Sequence, residues 1–452
     1  MQTTMKKEKI AIVGAGLVGS LWAVYLAKRG FDVHVFDRRP DIRNVKIIQG
    51  KSINLALSDR GWKALKGAGI EAAISEVALP MSGRMMHSVE GNLTYQQYGK
   101  EGQAIYSVSR GLLNQTLVRC AAEFENVSLY FDHICEDIDV KTNTIHFKHA
   151  STGENVHVKV DRIFGTDGAF SAVRGRMQRL DRFNYSQEYL SHSYKELEIP
   201  PMPDGTHRMD PNCLHIWPRE EFMMIALPNP DGSFTCTLFL AHDGPVSFEQ
   251  LKTNEDVTAF FQKYFPDAVA LMPELIDDFN TNPTSSLVMV KAYPWHYKDS
   301  LCLIGDAAHA IVPFYGQGMN CGFEDCTVLN ELMDQYGDDW AGMFEEYTRL
   351  RKPAGDAILE LALRNYIEMR DKTADARFLL QKKIEARFAA KHPDLWMPLY
   401  SQVSFSHIPY HEALQNGIKQ DQIMQKVMDR ADIAEVWDSL EVEEHIRTLI
   451  SA

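Results

Sequence analysis

Lys9-Ile10-Ala11-Ile12-Val13-Gly14-Ala15-Gly16-Leu17-Val18-Gly19 runs on through an apolar helical pattern to Arg29, then through Gly30 to Asp32-Val33-His34-Val35-Phe36-Asp37, and this stretch decides the fold. Lys9 to Val13 has the β-branched, apolar character of a buried strand, Gly30 stops the helix, and Asp32 to Phe36 reads as a second strand. The spacing G-x-G-x-x-G gives each glycine a task in a β-α-β unit. Gly14 permits the tight turn, Gly16 lets the backbone approach a pyrophosphate, and Gly19 permits close packing of helix on strand. The helix start at Leu17 and Val18 then offers N–H groups and a positive dipole end to an anion. Asp37, at the end of the second strand, is placed to accept hydrogen bonds from a ribose. The unit predicts a nucleotide site without choosing between FAD and NAD.

The same stretch has a competing reading. Ile10 to Ala27 is uncharged and follows Lys6, Lys7 and Lys9, as in a signal peptide or membrane anchor. Three glycines interrupt it, no small-residue cleavage site follows, and the chain continues into Lys28, Arg29 and another strand. A buried strand-turn-helix accounts for all of this. A chain of 452 residues is too long for one simple core, so two or three cooperating domains are expected. A formal net charge of -14 argues against nucleic acid as a partner. The 7 cysteines contain no C-x-x-C pair, and Cys321 and Cys326 fall in a predicted helix, so they read as reduced thiols. No metal site is expected.

Further along, Arg110 to Glu123 reads as a helix on the sheet and Val127 to Phe131 as its next strand. Ile145 to Lys148 and Val156 to Val158 belong to an antiparallel appendage. Alternation returns from Tyr194, with strands at Leu214 to Trp217, Phe222 to Leu227 and Phe234 to Leu240. Phe248 to Phe265 is expected to be helical, Leu301 to Ile304 a buried strand, and Gly318 to Arg370 mostly helix. The tail is helix-rich as well.

Two distant segments turn the nucleotide site toward a flavin. Ile163-Phe164-Gly165-Thr166-Asp167-Gly168 is a strand entering a glycine turn, with Ser171 and Arg174 opening a helix behind it. Leu301 to His309 ends a buried strand in Gly305-Asp306, followed by Pro313 and Gly316-Gln317-Gly318-Met319-Asn320 at a helix start. An aspartate there can hold a polyol hydroxyl, and a glycine-rich helix start can stabilise the negative charge of a reduced flavin. Each aspartate taken singly is also a good helix N-cap.

Together, Gly14/Gly16/Gly19, Asp37-Arg38-Arg39, Arg110, Thr166-Asp167-Gly168 and Gly305-Asp306 resemble the flavoprotein aromatic hydroxylases of the para-hydroxybenzoate hydroxylase type. Within that group the chain is similar to the kynurenine 3-monooxygenases. The similarity runs through Gly50 to Ser58, Gly83 to His87, Leu214 to Pro218, Pro313 to Asn320, Asn365 to Met369 and Tyr400 to Phe405. That family often has Glu at the ribose position and Ala before Asp-Gly. This chain has Asp37 and Thr166, which keep the needed groups.

The resemblance implies an α/β (α+β overall) architecture, a Rossmann-like FAD-binding domain interleaved with an antiparallel-sheet substrate domain and a C-terminal helical region. The expected bounds are 1–75, 100–178 and 290–330 for FAD, 76–99 and 179–289 for substrate, and 331–452 for the helices. It implies tightly bound, non-covalent FAD held by Gly14, Gly16, Leu17, Val18, Gly19, Asp37, Arg38, Arg39, Leu55, Ala56, Arg110, Cys135, Asp167, Gly168, Arg174, Gly305, Asp306, Pro313, Gly316, Gln317, Gly318, Met319 and Asn320. The implied reaction is hydroxylation of L-kynurenine at the 3-position, with NADPH reducing the flavin and O2 adding at flavin C4a. Arg84 suits the substrate carboxylate as a bidentate fork, and Tyr98 and Tyr400 add hydroxyl donors. Asn365, Glu368 and Met369 share one helical face, offering an amide for the polar tail, a carboxylate for the ammonium and a thioether for the ring wall. Ala56, Leu214, Ile225, Thr237, Phe239, Pro313 and Phe314 would line the ring slot.

The substrate's ortho amine already activates its ring. No catalytic acid or base is therefore expected, only alignment by Pro313, Phe314 and Gly316 and exclusion of water. No second G-x-G-x-x-G exists for NADPH, which points to transient binding, with Arg38 and Arg39 among the available cations. Eukaryotic members carry a C-terminal membrane anchor. This chain ends at Ala452 without one, so a cytoplasmic enzyme with no membrane partner is expected, and a homodimer is left open. The rival readings are a hydroxylase of a phenolic acid such as a hydroxybenzoate and a non-catalytic flavin-binding or carrier protein.

Overall fold

A computed structural model of the chain describes residues 8–45, 53–368 and 375–451. Lys9–Val13 is an inner strand of a six-stranded sheet, in the order His296–Tyr297, Leu301–Leu303, Arg162–Gly165, Lys9–Val13, Asp32–Phe36, Val127–Tyr130. Every pairing is parallel except that of the edge strand His296–Tyr297. A parallel sheet must be covered on both faces, and its strands are correspondingly apolar throughout. Ile10, Ile12, Val33 and Phe164 are fully or almost fully buried, and the Trp22 ring meets Phe164 edge-on at 5.3 Å. The apolar stretch after Lys9 is thus a strand, a turn and the twelve-residue helix Leu17–Lys28. Among the described residues no helix is long and apolar enough to cross a membrane. The antiparallel appendage His133–Asp139, Thr144–His149 and Asn155–Lys159 packs into the same core, where Phe147 stacks on Phe36.

A second sheet has seven strands, ordered Ser285–Tyr293, Asn184–Ile199, Phe234–Ala241, Phe222–Pro228, Cys213–Arg219, Gly83–His87, Leu93–Gln97. Strand alternation gives it two apolar faces. One, with Ile216, Met223 and Phe239, packs on Ile358, Leu361 and Tyr366 of the helix Trp340–Ile367. The other, with Trp217, Met224 and Leu238, packs on Phe260 and Phe261. The strand foreseen from Tyr194 begins ten residues earlier. Asn184–Tyr189 pairs with Val288–Tyr293, part of a strand the sequence pattern did not reveal. The helix expected over Phe248 to Phe265 is also corrected. A 3-10 turn at Phe248–Gln250 precedes a separate helix, Asn254–Tyr264, because Thr253 and Asp256 form a reciprocal capping box that starts a helix there.

A small sheet, Leu79–Met81, Ile105–Ser109 and Asn54–Leu57, lies against the second, with the Asn54 amide donating to Asn229 Oδ1 at 2.8 Å. The remainder is helical, including Gly318–Tyr336, Ala376–Lys391, Leu399–Ser404, Tyr410–Met428 and Leu440–Ser451. All seven cysteines are free thiols.

Candidate active site

The glycine turn performs the tasks its spacing assigns. Gly14 has φ +106° and donates its N–H to Phe36 O at 2.7 Å. A Cβ on Gly19 would lie 2.0 Å from Gly14 O and 2.5 Å from Thr166 Oγ1, so only glycine fits. A Cβ on Gly16 would meet nothing within 4 Å, which leaves the approach to the helix start clear. That start has no side-chain cap and no acidic residue in its first turn. Thr166 braces the turn by donating to Val13 O and Gly14 O, a role beyond the one its position suggested. Val18 packs into the hollow left by Gly305 and Gly322, and a Cβ on Gly322 would come within 2.6 Å of it. Gly322 was not singled out in the sequence, because one glycine inside a helix carries no signal of its partner.

The three aspartates divide. Asp37 is buried at the strand end, where Oδ2 accepts the Ala15 N–H at 2.8 Å and both oxygens accept the Arg39 guanidinium. Burial alone would raise its pKa, but Arg39 overrides that and holds the carboxyl below the usual range. Arg38 is exposed beside this pair. Asp167 braces the start of a helix whose N-cap is Ser171. It accepts Ser171 Oγ at 2.5 Å and the N–H of Ala172 at 2.7 Å, opening the helix Ala172–Met177, and Gly168 follows with φ +81°. Arg174 in that helix is buried and donates to Ala307 O, tying it to the third aspartate's turn. Cys135 lies close to Asp167, and its thiol is pushed up by burial and by that charge.

Asp306 differs from both. It follows Gly305 (φ +63°) and its side chain is exposed to solvent, yet burial of the surroundings raises its pKa. Its carboxylate makes no hydrogen bond or ion pair with any described residue. The nearby Arg110, whose N–H donates to Ile53 O, partly offsets that rise. An uncapped helix start beside an open glycine, and a carboxylate with no hydrogen bond or ion pair among the described residues, fit a bound flavin dinucleotide.

Gly316 (φ +67°) lies against Ala56, whose Cβ is 3.1 Å from where a Gly316 Cβ would stand. Pro313 begins the turn Pro313–Tyr315, and Gly318 and Met319 begin the next helix. That helix has no side-chain cap, so its positive end is unopposed. Asn320 and Gln317 are structural. Asn320 accepts the Ser58 N–H and donates to Ala56 O and Gly316 O, while Gln317 Oε1 accepts the Tyr410 hydroxyl. These bonds hold the strand carrying Leu55 and Ala56 against the helix start.

Arg84, Tyr98 and Tyr400 converge from a strand, a loop and a C-terminal helix. The guanidinium lies 5.1 Å from the Tyr98 ring centroid and 4.8 Å from that of Tyr400, and the two rings stack at 5.0 Å and 11°. Arg84 has no ion pair with a described residue. Its buried Nε has no hydrogen-bond partner among the described residues, while its charge is felt by Tyr98, Tyr400 and the carboxylate of Glu368. Strand register puts Leu214 opposite Arg84, Ile216 opposite Ile225, and Ile225 opposite Thr237, so all face one way with Phe239. Phe314 stands between Phe239 (5.0 Å) and Tyr366 (4.1 Å, stacked), and its carbonyl accepts the Asn365 amide at 2.6 Å. Glu368 ends the same helix, and Met369 lies outside the described residues. Tyr315, absent from the residues foreseen, stacks on Tyr400 at 5.6 Å. Its place in Pro-Phe-Tyr-Gly was the available signal.

His309, Cys321 and Asp325 also converge, with ligand atoms within 4.8 Å of one another. Arg351 donates to Asp325 Oδ1 at 2.7 Å and His309 engages Oδ2 at 2.6 Å, so the carboxylate is already neutralised. The cluster is explained without an ion.

The family model described as FAD binding domain matches residues 7–362. The chain is 54% identical over 450 residues to kynurenine 3-monooxygenase of Flavobacterium johnsoniae, covering 100% of both. It is 44% identical over 412 residues to that of Sus scrofa, covering 91% of this chain and 86% of the relative. Among solved structures, the tetrameric form of 2-methyl-3-hydroxypyridine-5-carboxylic acid oxygenase superposes with a TM-score of 0.68 at 17% identity, covering 83% of this chain and 96% of that one. That likeness establishes the shared fold, and the sequence relatives establish more: the chain belongs to the FAD-binding domain family and, within it, to the kynurenine 3-monooxygenases.

Proposed function

We infer that the protein is an FAD-dependent monooxygenase that hydroxylates L-kynurenine to 3-hydroxy-L-kynurenine, with NADPH as the transient reductant and O2 as the oxygen source. The geometric observation that carries the substrate class is Arg84, a cation with no ion pair among the described residues, set between two tyrosine rings beside a buried apolar cluster. Such a group suits a small aromatic carboxylic acid. The end-to-end identity with kynurenine 3-monooxygenases supports kynurenine as that acid.

When bound, FAD supplies the chemistry of reduction and oxygen activation. The residues proposed to hold it are the Gly14 to Gly19 turn, Asp37, Arg110, Asp306 and the Gly316 to Asn320 helix start. The chain's own residues align the partners. Arg84 grips the substrate carboxylate while Tyr98 and Tyr400 donate to it. Glu368 faces the ammonium, and Asn365 holds Phe314 in the ring wall. Ile225, Thr237, Phe239 and Phe314 confine the ring and exclude water. Seven free thiols suit a reducing compartment such as the cytoplasm.

The test is mass analysis of the product formed from L-kynurenine, NADPH and O2. A gain of one oxygen at the 3-position is expected. Peroxide without hydroxylated product would reduce kynurenine to an effector and overturn the reading.

A further inference from the structure

Tyr400 sits on the helix Leu399–Ser404, which has six residues. A helix of that length does not sustain itself, and its last carbonyls need donors from elsewhere. They come from one side chain nearly 350 residues away. Arg60, on the helix Asp59–Ala68, has a side chain with 0% exposure. Its Nε donates to Val403 O at 3.1 Å, and Nη2 donates to Gln402 O at 3.4 Å and to Ile408 O. Its Nη1 donates to Glu324 at 2.5 Å, and the guanidinium lies 4.0 Å from the centroid of the Tyr410 ring. Among the described residues no other charged side chain bonds a carbonyl of the 399–408 segment.

We propose that Arg60 is a positioning residue for the hydroxylation, capping the helix Leu399–Ser404 and so fixing where Tyr400 stands against Arg84. A cation at a helix C-terminus complements the dipole, and only a planar fork reaches three carbonyls and a carboxylate at once. Glu324 orients the fork and is shared with Arg351, which also binds Asp325. Asp325 accepts the Gly305 N–H at 3.1 Å. The cap on the tyrosine helix is therefore in register with the turn that carries Asp306. The part of the inference that concerns substrate rests on the kynurenine reading.

The experiment uses the flavin-loaded full chain with Arg60→Lys, which keeps the charge and loses the fork. Amides of residues 399–408 are expected to exchange about tenfold faster, with residues 318–336 and the flavin spectrum unchanged. The KM for L-kynurenine should rise about tenfold, and in a Tyr400→Ala background the same change should add less than about twofold. If Arg60→Lys does not fold, Tyr410→Leu removes the ring under the guanidinium and should shift exchange the same way. Unchanged exchange in 399–408, or an effect on KM that multiplies in full with Tyr400→Ala, would overturn the proposal. Should the wild-type enzyme not turn over kynurenine, the exchange result still decides the capping role, and only the substrate reading falls.

Discussion

Arg84 shows what single residues contribute. An arginine whose buried Nε has no hydrogen-bond partner among the described residues costs folding free energy, and such a group persists where a ligand completes it. Replacing it by Met should relieve the fold and damage binding. Arg84→Met is expected to raise the KM for L-kynurenine about 10- to 100-fold, the worth of a charge-assisted pair, while flavin content stays constant. Steady-state kinetics over a range of kynurenine concentrations checks this, and an unaltered KM counts against Arg84 as the carboxylate site. At this scale the sequence was most legible where one residue type is obligatory. Gly19 could be read from spacing because a Cβ there would strike Gly14 O. Asp167 and Asp306 could not be told apart, since each ends a strand before a helix and only packing shows that one braces a helix start while the other has no hydrogen bond or ion pair among the described residues. Arg60 was invisible because its carbonyl partners lie in the tail.

Elements with two faces serve two purposes, and the strand Gly83–His87 is the plainest case. Arg84 and Met86 point into the pocket, while Met85 and His87 point to the rear of the sheet. Behind it, His87 stands between Asp267 (2.8 Å) and His215 (2.9 Å), and the Trp217 indole donates to Asp267 as well. Burial lowers the His215 pKa to about 4, against an ordinary 6.5. The sign follows from the linkage. The folded state resists protonation of His215, so its contribution to stability is complete above pH 6.5 and is lost as the pH falls toward 4. Asp267, held below its usual range although burial opposes this, gives way at still lower pH. A His215→Gln variant should therefore lose about 2 kcal/mol less than wild type between pH 7 and pH 4.5. Urea midpoints at the two pH values decide it, and parallel losses would reject the assignment. Strands such as Phe222–Pro228 and Phe234–Ala241 were legible because alternation meets a buried face. Leu93–Gln97 was not, for all five of its residues are exposed and the segment has no apolar face to announce it.

Across the whole molecule the two sheets are joined by the helix Trp340–Ile367. Its 28 residues span roughly 42 Å, from Trp340 and Phe344 in the first core to Ile358 and Tyr366 in the second. Midway, Arg351 ties it to Glu324 and Asp325, and Glu324 passes the charge on to Arg60 and the tail. Burial would raise both carboxyls, but the two arginines and His309 hold them low. Glu324→Gln would leave two guanidinium groups buried without their shared counter-charge, at a cost of about 3–5 kcal/mol. Thermal and denaturant unfolding should register that loss, and an unchanged midpoint would show the network to be dispensable. The interleaving of the sheets was implied by the family resemblance, but this charge chain was not, since it joins residues whose separation in sequence exceeds any pattern. One further property belongs to the molecule as a whole. Burial pushes up the thiols of Cys120, Cys135, Cys213, Cys236, Cys302 and Cys326, Cys213 to about 12. Oxidants attack the thiolate, a form these groups scarcely populate near neutrality. An oxygen-activating catalyst that misfires releases peroxide at its own surface, and these six thiols meet that peroxide in their protonated, slow-reacting form.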